Sequence, residues 1–209
     1  MSLHPCSPSA PHVHAADWRS GLPELRGSRV TLRELRSSDA LSLLQNFAND
    51  KVTRFLAQPP PTLEAYERFV LWTHRKRANS SLLCFGVVPD SENAAVGLFQ
   101  VWPYDRDFEI AEMGFVLGPP FWGTGVFLDG GRVFLEFVFE TLGVHRLEAR
   151  AAVKNGRGIG ALLKVGAVQE CVLRKAFARN GQRLDQVLYA ILAGDRQVAS
   201  APTREATVH

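Results

Sequence analysis

The chain has 209 residues and a formal charge of +3, with 46% hydrophobic and 22% charged residues, enough apolar content for one well-filled core. So small a charge excludes the concentrated basicity of a dedicated nucleic-acid binder, and Cys6, Cys84 and Cys171 have neither the even number of a disulfide framework nor zinc-ligand spacing. The start, MSLHPCSPSAPHVHAADW, lacks a basic segment followed by an apolar run, and no stretch of about 18 apolar residues occurs, so a cytosolic protein without secretion signal or membrane span is expected.

Residues 1–24 and 195–209 are polar and small without periodicity and read as flexible tails, leaving 25–194 as a single folded domain. His12 and His14 have metal-like spacing, but a loose tail offers no preorganised site, so no metal is expected. RVTLREL (29–35) alternates as a strand. SSDALSLLQNFAND (37–50) opens on a Ser/Asp cap and carries Leu41, Leu44 and Phe47 at helical spacing. After QPPP (58–61) breaks the chain, Thr62 caps a helix over 63–77 whose apolar face is Leu63, Tyr66, Phe69, Val70 and Thr73. LLCFGVVP (82–89) and AVGLFQVWP (95–103), separated by DSEN, read as a β-hairpin, and FEIAEMGFVL (108–117) is a further strand.

Beyond FWGTGV (121–126), residues 126–142 carry Val133, Phe134, Phe137 and Val138 on one helical stripe that Gly143 stops. HRLEARAAV (145–153) is a strand with Leu147, Ala149, Ala151 and Val153 on one face and Arg146, Glu148 and Arg150 on the other. NGRGIGALLKVGA (155–167) reads as a short helix weakened by three glycines, and two closing strands meet at Asn180-Gly181. This order predicts an α/β (α+β) fold with a mixed, mostly antiparallel central sheet flanked by helices.

Gly123 and Gly125 each cost about 0.5–1 kcal/mol in a regular element relative to alanine. They serve either a plain tight turn or a loop whose bare amides, at a helix N-terminus with its partial positive charge, hold an anion such as a pyrophosphate. A Rossmann fingerprint would need a third glycine at the right spacing and an acidic residue about 20 positions on.

Strand, WGTGV, amphipathic helix, strand ending in asparagine, and short helix ending in Gly-Ala together resemble the GNAT superfamily of acyl-CoA-dependent N-acyltransferases, and more closely its RimJ/RimL-like branch. The resemblance rests on EMGFVLGPPFWGTGV (112–126), GVHRLEARAAVKN (143–155) and the spacing from Asn155 to Gly166, and the element order fits over 26–193. It implies a sheet splayed between the fourth and fifth core strands. Acetyl-CoA would enter there as cosubstrate, its pantetheine arm on the backbone of Phe115, Val116 and Leu117 and on Asn155, its pyrophosphate on the loop of Trp122, Gly123, Thr124, Gly125 and Val126. Asn155 also reads as an N-cap, and Trp122 as a packing residue.

The implied reaction is direct attack of a primary amine on the thioester, the oxyanion held by backbone amide near Met113–Phe115, with Cys84 and Cys171 outside the chemistry. A lysine-like amine is neutral about once in 2,500 molecules at pH 7, a cost of roughly 4.6 kcal/mol, against about 1–1.4 for an α-amine. Glu148 and Glu112 are the candidate bases; each is equally readable as an ion-pair partner of Arg146 or Arg150. Where the family often places a serine or a tyrosine as general acid, this chain has Gly158 and Leu162. That departure leaves a second reading open, an acyl-CoA-binding module with little or no turnover. Lys154, Arg157 and Lys164 read as phosphate contacts or solvated charges. HRKR (74–77) beside Trp72 reads as a solvated helix end rather than a nucleic-acid contact. The resemblance implies a protein N-terminus or small amine as acceptor, shaped by Phe55–Thr62 and by the hairpin ends near Trp102 and Tyr104, and it allows a homodimer.

Overall fold

Alternating apolar residues build eight strands into one sheet of order β1-β2-β3-β4-β5-β6-β8-β7. They are β1 (Leu25–Arg26), β2 (Val30–Glu34), β3 (Leu83–Pro89), β4 (Gly97–Pro103), β5 (Ile110–Leu117), β6 (Arg146–Ala152), β7 (Val168–Arg179) and β8 (Gln182–Leu192). The computed structural model describes residues 17–56, 58–105, 107–179 and 181–195; Cys6, His12, His14 and Asn180 lie outside them. Neighbours pair antiparallel except β5 and β6, whose parallel register runs only from Ile110↔Arg146 to Met113↔Ala149. Gly114–Leu117 then stays with β4 while Arg150–Ala152 stays with β8, so the sheet opens into a slit. The expected splay between the fourth and fifth core strands lies here.

Period-two alternation gives the sheet two apolar faces. Leu83, Phe85, Val87, Ala111, Met113, Leu147 and Ala149 face a first core with α4 (Val126–Glu136) and Leu162 of α5 (Gly156–Lys164). Cys84, Leu98 and Val116 face a second core with α1 (Ala40–Phe47), α2 (Asp50–Thr53) and α3 (Leu63–Ala78). Trp122 packs against both cores. Gly143, with φ +76°, ends the segment after α4 as expected.

Several local readings shift. In α1 the buried face is Ala40, Leu43 and Phe47, while Leu41 is 52% exposed, because the helix starts after a 3-10 turn at Ser37–Asp39 that rotates its register. Val153 lies past the end of β6 and is exposed. Trp18, placed by composition in a tail, is buried edge-on against Phe108. The HRKR run is not a free basic patch: Arg77 is buried, pairs with Glu34 at 2.5 Å and donates to the Arg19 carbonyl, and His74 Nε2 donates to the Leu35 carbonyl at 2.8 Å.

Beneath α1, Asp39 is fully buried and takes a two-pronged pair from Arg33, at 2.8 Å on each oxygen, plus the amides of Arg36 and Ala95. Burial pulls its carboxyl upward, but the Arg33 side chain and the two amides outweigh it and hold the pKa below the ordinary value.

Candidate functional site

Gly123 and Gly125 adopt φ of +77° and +91°, the left-handed region that side chains avoid. They lead into α4, whose first helical bond is Asp129 N–H to the Gly125 carbonyl, leaving the amides of Val126–Leu128 without a helical acceptor. Asp129 accepts from the Arg29 amide at 2.8 Å, fixing the β1–β2 turn against α4, and Arg29 Nη1 donates to the Thr124 carbonyl at 3.3 Å. A cation is thus held beside the glycine loop. The Thr124 hydroxyl donates to the Phe121 carbonyl at 2.8 Å. Trp122 Nε1 donates to the Leu117 carbonyl at 2.7 Å, and the Arg157 guanidinium stacks over its ring at 3.8 Å, tying loop to strand end and to α5.

A cavity of about 840 Å³ runs along this loop and the slit, within the size range of small-molecule sites. Of the residues assigned to the cosubstrate from sequence, Phe115, Val116, Leu117, Trp122, Gly123, Gly125 and Asn155 line it together. Thr124 and Val126 are not in its wall: the exposed Thr124 spends its hydroxyl on the Phe121 carbonyl and Val126 is buried in the first core. Asn155 caps α5, its Oδ1 accepting from the Gly158 amide at 3.0 Å. A Cβ on Gly158 would stand 2.5 Å from Asn155 Nδ2, so a side chain there would displace the Asn155 amide. Leu162, 1% exposed, points into the first core. Lys154, Arg157 and Lys164 line the cavity, joined by Lys51 and Arg54 of α2, an element that the residue pattern between Phe47 and the proline run conceals.

The two candidate carboxylates form a separate cluster outside the cavity wall. Glu112 and Glu148 are partners in the parallel register and project to the α1–α3 side. The Tyr104 hydroxyl donates to Glu112 Oε2 at 2.5 Å and lies 3.4 Å from Glu148 Oε2. Arg150 reaches Tyr104 Oη at 3.0 Å and Glu112 Oε2 at 3.4 Å. Glu148 Oε1 accepts from Arg146 Nε at 2.9 Å, and Arg146 is clamped by both oxygens of Glu170. Both expected ion pairings therefore exist: Glu148 is engaged on each oxygen, whereas Glu112 Oε1 has no partner among the described residues. Partial burial of the Tyr104 hydroxyl, then the Glu112 carboxylate, push its pKa above the ordinary phenol value, so it stays a donor. Cys84 is buried, its thiol pushed up to about 12 by desolvation, and Cys171 is exposed on β7. Among the described residues no His/Cys/Asp/Glu cluster could hold a metal, and no helix is long and apolar enough to cross a membrane.

The model of the acetyltransferase (GNAT) domain family matches residues 29–168. The chain is 25% identical over 175 residues to "Uncharacterized N-acetyltransferase YoaA" of Bacillus subtilis, covering 81% of this chain and 97% of that protein. It is 25% identical over 169 residues to "Putative ribosomal N-acetyltransferase YdaF" of the same organism, covering 78% and 91%. The fold matches Mycobacterium smegmatis RimJ, solved in complex with CoA-disulfide, with a TM-score of 0.73 at 20% identity over 85% of this chain and 93% of that one. A glycine loop opening a helix beside the slit that follows the four β5–β6 rungs, on a family match spanning well over half the chain, makes this protein a member of the GNAT acetyltransferase family, an N-acetyltransferase.

Proposed function

We propose that the chain moves an acetyl group from acetyl-CoA directly to a primary amine, either the α-amine of a protein N-terminus or a small-molecule amine. The carrying observation is the cavity that joins the glycine loop to the slit. Acetyl-CoA, the family's acyl donor, supplies an activated thioester. Its fit rests on features of this chain: unpaired amides at Val126–Leu128, Arg29 beside the loop, and Lys154, Arg157 and Lys164 on the α5 wall. These groups suit a pyrophosphate and a further phosphate. The opened β5 edge at Phe115–Leu117 and the Asn155 side chain suit an amide-bearing arm.

In the transfer, a new N–C bond replaces the C–S bond; one amine proton goes to a base and the thiolate takes up one proton. Glu112 is the better base, because Oε1 is free while Tyr104 and Arg150 fix Oε2. Glu148, held by Arg146 and Arg150, positions that pair. The low cost of deprotonating an α-amine matches a carboxylate base. Incubation with acetyl-CoA and a panel of peptides, amino acids, polyamines and aminoglycosides, read by free thiol, tests the proposal; silence across the panel overturns it.

Gly158 and Leu162 support a second reading, a site that binds acyl-CoA with little turnover. It requires thermal stabilisation by acetyl-CoA without thiol release, and fails if amine-dependent thiol appears.

A further inference from the structure

The cavity lining carries five cations, Lys51, Arg54, Lys154, Arg157 and Lys164, and no aspartate or glutamate. They divide between the two faces of the sheet. Lys154, Arg157 and Lys164 belong to α5 and its approach, which packs through Leu162 on the first core beside the glycine loop. Lys51 lies in α2 and Arg54 is its C-cap, and Val52 between them is seated in the second core. That is the side to which Val116 packs and Glu112 projects, across the slit from the phosphate-suited wall. Three residues apart on one helical turn, the two α2 cations share a side of it. Neither forms an ion pair among the described residues; the Arg54 guanidinium only lies 5.4 Å over the Phe55 ring.

A ligand on the α2 side of the cavity thus meets unpaired positive charge in its wall and, on the same face of the sheet, the Glu112–Glu148 carboxylate pair. A purely cationic amine suits the second and is repelled by the first. We propose, resting on the acetyl-transfer reading above, that the acceptor is an anionic amine. It carries a primary amine and a carboxylate or phosphate, the amine drawn to Glu112 and the anion to Lys51 and Arg54.

The test compares kcat/KM of the full chain, read by thiol release, for four acceptors: Ala-Asp-Glu-amide, Ala-phosphoserine-amide, Ala-Ala-amide and spermidine. At least one anionic peptide is expected to exceed the neutral one by about fivefold to tenfold, the sum of two exposed charge pairs, with spermidine lowest. Which anionic peptide leads distinguishes carboxylate from phosphate. The K51Q/R54Q variant is expected to bring that ratio to about one. Preference for the neutral peptide or spermidine overturns the anionic acceptor but leaves acetyl transfer standing. A K51Q/R54Q variant that instead raises KM for acetyl-CoA also overturns it, assigning both cations to the cosubstrate. No thiol with any amine removes the acetyl-transfer reading itself.

Discussion

Glu112 and Glu148 face each other across the β5–β6 register, and a single hydroxyl, that of Tyr104, stands 2.5 Å from one and 3.4 Å from the other. The two carboxylates are chemically alike and differently bound: Glu148 meets Arg146 at 2.9 Å on one oxygen and Arg150 at 3.9 Å on the other, and Glu112 keeps one oxygen open.

That asymmetry separates their substitutions. Glu112→Gln is expected to lower kcat by about 10²-fold or more with KM for acetyl-CoA little changed, as for loss of a general base. Glu148→Gln is expected to lose about tenfold, through misplacement of Arg150 and Tyr104. Steady-state thiol release at saturating amine measures both. Equal, small losses would remove Glu112 from proton transfer.

Gly158→Ser would supply the hydroxyl that the family resemblance leads one to expect at this position, yet its Cβ would stand 2.5 Å from Asn155 Nδ2. Asn155 must then leave its cap, costing about 1 kcal/mol and lowering Tm by about 2–4 °C for a chain of this size. KM for acetyl-CoA should rise as well. Differential scanning fluorimetry and kinetics check this; unchanged Tm with faster turnover would mean that the missing hydroxyl limits the enzyme.

Gly125→Ala imposes a side chain at φ +91°, with its Cβ 3.3 Å from Arg29 Nη1. The backbone strain alone is about 1–2 kcal/mol, and the loop amides shift with it. Acetyl-CoA affinity, read by isothermal titration calorimetry, is expected to fall about tenfold. A variant that binds as well as the parent would show that the loop is only a turn.

Asp39→Asn breaks a buried pair and leaves Arg33 uncompensated, an expected loss of about 3–5 kcal/mol at pH 7. The folded pKa of Asp39 lies below its ordinary value, so the stabilisation is fully present above about pH 3.9 and is lost as pH falls through the lowered folded value. Urea unfolding of both proteins from pH 7 down to pH 2 should show the gap closing only in the acid range. A gap independent of pH would refute the assignment.

Cysteine chemistry separates in the same way. Burial pushes the Cys84 thiol up to about 12, and Cys171 is exposed. Peptide mapping after brief alkylation of the native chain at pH 7.5 (about one unit below a free thiol) should find Cys171 modified and Cys84 intact. Cys84→Ala should keep its turnover; loss of activity in a folded variant would contradict direct transfer.

Much of this architecture is legible in the residues. Alternation marks β2 and β6, and the DSEN turn between two apolar runs marks the β3–β4 hairpin. The left-handed glycines are legible because few other roles suit two of them before an apolar helix. What sequence conceals is long-range. Nothing local tells that Arg77 of a basic run is spent on Glu34, 43 positions away, or that Trp18 belongs to the core. Four-residue α2 is too short for a periodicity, so its two cavity cations go unread. Tyr104 is recognisable only as a hairpin end, because its partners lie 8 and 44 residues on.

The slit also divides the chain in time. Every ladder of β1–β5 closes within residues 25–117, and every ladder of β6–β8 within 146–192. Only four rungs couple the two groups. During synthesis the first five strands can complete their pairing before residue 146 leaves the ribosome, since contacts of short sequence separation form early. The place where the sheet fails to close is therefore also the boundary between two groups of strands, each of which completes its pairing within one stretch of the chain.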